Sequence, residues 1–377
     1  MPKGGAGGVM EVVRVSFADL KEGVDLAAQI EAAFGPGGLG IIAVSDVPSY
    51  PEARQRLLPL ALRLGELSEE ARRSIEDPGS KYSFGWSEGK ESVEAGRADA
   101  LKASFYANPL TDAPTADPQL IHRFPTYCRP NVWPSRDIPE LEPAFKALGR
   151  MIVDVGKQLL RHCDTYARSR NPHVPPGKLL GVVERSQCHK ARLLLYRPPQ
   201  QQPPSPPAQG EAAAAESSRA SGDEAVPSGG DGDVSSWCGW HVDHGSLTGL
   251  TRAQFWRGGE AVEGREVDPS CGLYIRTRGG QIVQAHIPDG CIAFQVGHAM
   301  SIQSGGLLAA TPHCVSAPKG PASRGVSRAT LAVFMQPSWD EPLDMPANSS
   351  LTPQELVPWQ PGMDFGTFSE ETIRQYY

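Results

Sequence analysis

The chain has 377 residues, 40% of them apolar and 21% charged, with a net charge of −7. That length and apolar share suit one large or two modest domains, while the acidic balance disfavours a broadly basic nucleic-acid-binding surface. No apolar run approaches the roughly 20 residues of a membrane-spanning helix, and the seven cysteines stand singly without a C-x-x-C pair, which excludes a zinc ribbon and favours reduced thiols.

The N-terminus has neither the apolar core of a signal peptide nor an Arg/Ser-rich amphipathic transit helix, so a soluble cytoplasmic protein is expected, and a monomer. Residues 12–15 read as a short strand. Leu26, Ile30, Ala33 and Phe34 share one face of a short helix that starts near Asp25 and stops at Gly-Pro-Gly-Gly, 35–38. Ile41, Ile42, Ala43 and Val44 form an apolar strand, and Pro51 opens a helix expected to run to about Ile75. Tyr82, Phe84 and Trp86 fall in a loop after it. The longest periodic signal lies between Pro139 and Arg168, where Leu141, Phe145, Leu148, Ile152, Val155 and Leu159 mark an amphipathic helix packed on something larger.

After this helix the texture changes. Residues 192–196 (RLLLY) read as a buried strand, followed by short apolar runs at 272–275, 281–287, 291–296 and 328–336, divided by Gly and Pro. Such a pattern suggests a sandwich, barrel or jelly roll. Between them, 198–236 contains no Leu, Ile, Phe, Tyr, Trp or Met, and six acidic residues oppose Arg219 alone. This tract cannot bury enough apolar surface to offset its ordering entropy and is expected to be a disordered insert.

The segment after the insert carries the chemistry. His241 and Asp243 are two apart, and on a strand such side chains share a face. With His313 as a third donor, two imidazoles and one carboxylate would occupy one face of an octahedron. Three positions would stay open, which suits Fe(II) that must also bind a co-substrate and O2. Arg328 and Thr330 share a face of a later strand, where a guanidinium and a hydroxyl could hold the far carboxylate of 2-oxoglutarate. His244 is expected to point away from the metal, and His286 and His298 to be ordinary strand or loop residues. Trp237 and Trp240 would pack under the site, and Cys238 and Cys314 would be buried small hydrophobes.

At this point the sequence resembles the Fe(II)/2-oxoglutarate-dependent oxygenases of the isopenicillin-N-synthase-like group, in a divergent branch. The motif H-x-D-x-G-x-L-T-x-L stands intact from His241 to Leu250. Gly272-Leu273-Tyr274-Ile275, Ser304-Gly305-Gly306 with Pro312-His313-Cys314-Val315, and Arg328-Ala329-Thr330 with Phe334 and Pro337 are similar to the family's later motifs. Tyr82–Trp86 with Gly89-Lys90-Glu91 resembles an upstream one. Where the family often has Asn-Tyr-Tyr-Pro, this chain has Leu195, Tyr196, Arg197 and Pro198, which leaves Tyr196 as the candidate co-substrate contact there.

The resemblance implies an α+β fold, a double-stranded β-helix (jelly-roll) core with flanking N-terminal helices. It divides the chain into an N-terminal region (1–135), a supporting helix and first core strand (136–197), the insert (198–236), the metal-binding core (237–340) and a C-terminal extension that packs on it (341–377). The implied activity is oxidation of a small organic metabolite, by hydroxylation, desaturation or cyclisation, with 2-oxoglutarate decarboxylated to succinate and CO2. Two alternatives stand beside it: a non-catalytic jelly-roll binding module, and an Fe(II) oxidase that uses no 2-oxoglutarate.

Overall fold

The computed structural model describes residues 9–90, 92–93, 97–98, 102–198, 236–318, 323–351, 356 and 358–374. The expected insert at 198–236 therefore lies outside the described residues, apart from its two ends.

The architecture is α+β, built on two facing sheets. The larger runs in the order Val13–Ser16, Ile41–Ser45, Ile292–Val296, Leu247–Thr251, Val326–Met335, Lys190–Tyr196, Lys102–Ala107 and Gly85–Glu88. The hairpin Gln254–Arg257 and Glu260–Val262 joins it beside Val326–Met335. The smaller sheet runs Val9–Glu11, Ile282–His286, Gly272–Arg276, His313–Ser316 and Ser236–His241. Alternate residues of each strand point to opposite sides of their sheet. Ala293 accordingly packs with Ile275, Val283 and Ala285 of the smaller sheet, whereas its neighbour Phe294 joins the outer core against the helices.

That outer core rests on a 30-residue helix, Leu141–Arg170, whose buried face includes Leu141, Phe145, Leu148, Ile152, Val155 and Leu159. This is the stripe the sequence periodicity predicts, extended by two residues at its C-terminal end. Helix and sheet meet at glycines. A Cβ at Gly156 would stand 2.4 Å from Met335 Sδ, and one at Gly249 would stand 2.2 Å from Ile152 Cγ2. Both distances are well inside van der Waals contact, so Gly249→Ala must push the helix off the strand that leads away from Asp243. We expect a loss of about 1–3 kcal/mol in urea unfolding.

Two expectations change. The helix from Pro51 to Ile75 is three pieces, Tyr50–Leu57, Leu60–Glu66 and Glu69–Ser74. Pro59 has no N–H to continue the ladder, and Ser68 restarts a helix by accepting from Ala71 N at 3.2 Å. The expected loop around Tyr82–Trp86 runs directly into a strand, Gly85–Glu88, paired with Lys102–Ala107. Phe84 and Trp86 are core residues there. These strands extend the larger sheet beyond Lys190–Tyr196, so the N-terminal region contributes directly to the walls of the core.

Candidate active site

The strand Ser236–His241 lies antiparallel to His313–Ser316 with His241 opposite His313. That register brings the two imidazoles to a centroid separation of 4.3 Å. Asp243 arrives differently from the expected shared strand face: the strand ends at His241, and Asp243 sits in the turn that carries the chain to Leu247–Thr251 of the other sheet. Backbone bonds fix the turn. His298 N donates to Asp243 O at 2.8 Å, Gly297 N to Ser246 O at 3.0 Å, and Ser246 N to Met335 O at 3.0 Å. A Cβ at Gly297 would come within 2.2 Å of Gly245 O, so this close approach requires glycine.

Each of the three side chains has one donor or acceptor atom committed elsewhere. His241 Nδ1 faces Gly239 O at 2.8 Å, and His313 Nδ1 faces Thr311 O at 3.2 Å. A carbonyl only accepts, so each ring turns an Nδ1 proton to its carbonyl and leaves Nε2 as the nitrogen that faces the other two residues. Asp243 Oδ2 accepts from Thr248 Oγ1 at 2.6 Å, leaving Oδ1. The free atoms converge: Asp243 Oδ1 is 3.8 Å from His241 Nε2 and 4.0 Å from His313 Nε2. These three residues are the one group able to hold a metal ion found among the described residues. Two imidazole nitrogens and one carboxylate oxygen, on the pattern of a facial triad with open positions, are the donor set of non-haem Fe(II).

The electrostatics suit a cation at Asp243 and His313, whereas His241 would have to give up a proton to it. Burial disfavours the Asp243 carboxylate, but His313, His241 and the Thr248 hydroxyl hold its pKa below the ordinary value. Burial, reinforced by His241, pushes His313 down to about 4. Burial also opposes a charged His241, but the Cys238 sulfur and Asp243 outweigh it and lift the ring to about 9. Cys238 is thus not the inert small hydrophobe expected from its offset in sequence. Its Sγ lies 3.7 Å from His241 Nδ1, because the paired strands shift register beside it. Cys314 is buried as expected.

Arg328 stands on Val326–Met335, directly across from Tyr196. Its guanidinium lies 5.0 Å from the Tyr196 ring centroid and 5.7 Å from that of Trp237, and those two rings stack on each other at 5.0 Å. Nε and Nη1 are buried with no hydrogen-bond partner among the described residues. Burial lowers its pKa from the usual arginine value. Among the described residues no carboxylate acts on it, and a desolvated cation in that state is costly unless an anion joins it. A cavity of about 640 Å³ reaches Arg328, lined also by Thr251, Phe255, Cys271 and Leu273 and not by the triad. Thr330 shares the face of Arg328, but its hydroxyl donates to Thr251 O at 2.9 Å. Tyr196 is fully buried, and burial pushes its hydroxyl up to about 12.

The remaining histidines fall outside the triad. His244 Nε2 meets Tyr127 Oη and Ser369 Oγ, both at 3.1 Å, and burial pushes it down to about 4. His298 stands beside Phe368, and His286 lies in the smaller sheet. Trp237 is buried under the site as expected, whereas Trp240 is half-buried with Arg276 over its ring.

Sequence reasoning missed Lys190. Its ammonium is buried against Phe84 and Tyr127 and donates to Thr126 O, and burial pulls its pKa down to about 7 from 10.5. The unfolded chain therefore binds more protons between those two values, so the cost of burying Lys190 is full below pH 7 and fades as pH rises toward 10.5. We expect Lys190→Met to melt above the wild type at about pH 6, and the gap to close by about pH 10.

Fold and site together define a class: a double-stranded β-helix with a His-Asp-His group, the fold of solved 2-oxoglutarate–Fe(II) oxygenases, matched over nearly the full chain. A 2OG-Fe(II) oxygenase family protein from Caulobacter crescentus superposes with a TM-score of 0.65 at 19% identity, covering 97% of this chain and 98% of that one. A full-length Neurospora crassa protein, solved in complex with alpha-KG and thymine, gives 0.62 at 17% identity, covering 97% of each chain. JOX2, solved with 2OG, Fe and JA, gives 0.60 at 15%, covering 98% of this chain and 87% of that one. No protein-family model and no curated protein sequence matches the chain. Among the described residues, no helix is long and apolar enough to cross a membrane.

Proposed function

We propose that this protein is an Fe(II)- and 2-oxoglutarate-dependent oxygenase acting on a small organic molecule. The observation that carries the reading is the convergence of His241 Nε2, Asp243 Oδ1 and His313 Nε2, each freed by a fixed partner on its other atom. The buried guanidinium of Arg328, whose Nε and Nη1 meet no hydrogen-bond partner among the described residues, supports it from the larger sheet.

His241, Asp243 and His313 would hold the metal. Fe(II) with 2-oxoglutarate and O2 supplies the oxidation, in which the co-substrate becomes succinate and CO2 and a substrate C–H becomes C–OH. The protein's part is positioning. Gly239 O and Thr311 O orient both imidazoles, burial keeps His313 neutral, His241 would give up its Nε2 proton to bind the metal, and Thr248 keeps the carboxylate charged and turned inward. Arg328 would take the far carboxylate in a charge-assisted pair. Tyr196 and Trp237 pack their rings against that guanidinium, with Phe255 beside them. As placed, Thr330 spends its proton on Thr251, so it would join only by rotating its hydroxyl away. The test is O2 uptake and succinate release with Fe(II) and 2-oxoglutarate, each dependent on both. Succinate formed at the same rate without added iron in chelator-treated protein would reject the reading.

A further inference from the structure

The strand Ile292–Val296 carries a polar side chain that the proposed activity does not yet use. Gln295 is fully buried, and neither its Oε1 nor its Nε2 has a hydrogen-bond partner among the described residues. A carboxamide left with both ends unmet inside a protein forfeits the desolvation cost of each. Its placement is specific. Ala293, two residues back on the same face, packs against the smaller sheet, so Gln295 also faces the space between the sheets. It pairs directly with Thr248, the residue that holds Asp243, and directly opposed residues on one face have Cβ atoms about 5 Å apart. Two residues further on, Gly297 N and His298 N bond the backbone of the turn that bears Asp243.

The geometry points to Gln295 as a co-substrate-binding residue, whose Nε2 donates to the carboxylate end of the 2-oxo acid held at the metal. This rests on the proposed use of 2-oxoglutarate. The buried donor would supply, at the metal end of the co-substrate, what Arg328 supplies at the far end. It is a neutral donor, so it can orient an anion there without repelling the metal.

The experiment titrates 2-oxoglutarate into the anaerobic Fe(II) protein and follows the charge-transfer absorption that chelation of Fe(II) by a 2-oxo acid produces. Mn(II) affinity and melting temperature are measured alongside. Gln295→Leu, of similar size and with no polar atoms, is expected to weaken 2-oxoglutarate about tenfold. It should also shift the band, leave Mn(II) affinity within about twofold, and melt no lower than the wild type, because two unmet polar atoms are removed. Gln295→Glu, which places a second anion there, is expected to bind it more weakly still. Unchanged 2-oxoglutarate affinity and band position in Gln295→Leu would overturn the assignment. So would a large drop in its melting temperature or failure to fold, which would make Gln295 a structural partner. Absence of the band in the wild type would reject the co-substrate reading and this inference together, whereas a normal wild-type band with an unaltered variant rejects this inference only.

Discussion

Asp243→Ala is expected to abolish Fe(II)-dependent turnover and to lower Fe(II) affinity by more than about 100-fold. The magnitude follows from a comparison within the site. Loss of a residue that only orients a ligand costs about 10–100-fold in metal affinity, and Thr248→Val, which removes the proton donated to Asp243 Oδ2, should fall in that range. Removing Asp243 itself deletes the sole anionic donor, leaving two neutral imidazoles that also serve softer divalent ions. His241→Ala should act similarly, since Cys238 Sγ lies on the Nδ1 side of that ring, away from the free Nε2. Equilibrium dialysis against Fe(II) under anaerobic conditions, with circular dichroism to verify the fold, reads the series. Equal affinity in Thr248→Val and Asp243→Ala would mean that the carboxylate is not a ligand.

Arg328→Met separates function from stability in opposite directions. With an anion bound, truncating one partner of a buried charge pair costs about 2–5 kcal/mol, so the Kd for 2-oxoglutarate should rise at least roughly 30-fold. Without ligand, the same change removes a buried cation whose Nε and Nη1 have no partner among the described residues. The free protein should therefore melt no lower than the wild type, with the lost stacking on Tyr196 and Trp237 partly replaced by methionine's own packing. The stabilisation that 2-oxoglutarate confers on the wild type should vanish. Arg328→Lys keeps the charge but not the two-pronged geometry and should fall between them. Thermal shift with and without the dicarboxylate measures all of this. An Arg328→Met protein that is destabilised yet binds 2-oxoglutarate normally would assign Arg328 to the core.

The proposed ligand residues were legible from residue type and spacing: His241, Asp243 and His313 are each named by the sequence, and the structure brings their donor atoms together. The chain brings the first pair together by another route than a shared strand face. A spacing of two suits a strand face, but the strand stops at His241 and a turn delivers Asp243. Which atom of each ligand is free depends on carbonyls and hydroxyls that only the folded chain places. Thr248 stood in the H-x-D-x-G-x-L-T-x-L motif without showing what it bonds. Gln295 was hidden in an apolar run, where only strand pairing reveals that it faces the space between the sheets beside Thr248. The same limit applied to the fold. Thirty residues of helical period predicted Leu141–Arg170 closely, whereas Lys102–Ala107 mixes Ser, Lys and aromatic residues and became visible as a strand only through its pairing with Lys190–Tyr196.

The most direct test of the central claim is the absorption spectrum of the anaerobic protein with Fe(II) as 2-oxoglutarate is added. A saturable visible charge-transfer band that needs both Fe(II) and 2-oxoglutarate, and is absent in Asp243→Ala, is the predicted result. A wild-type Fe(II) protein whose spectrum does not respond to saturating 2-oxoglutarate would contradict it.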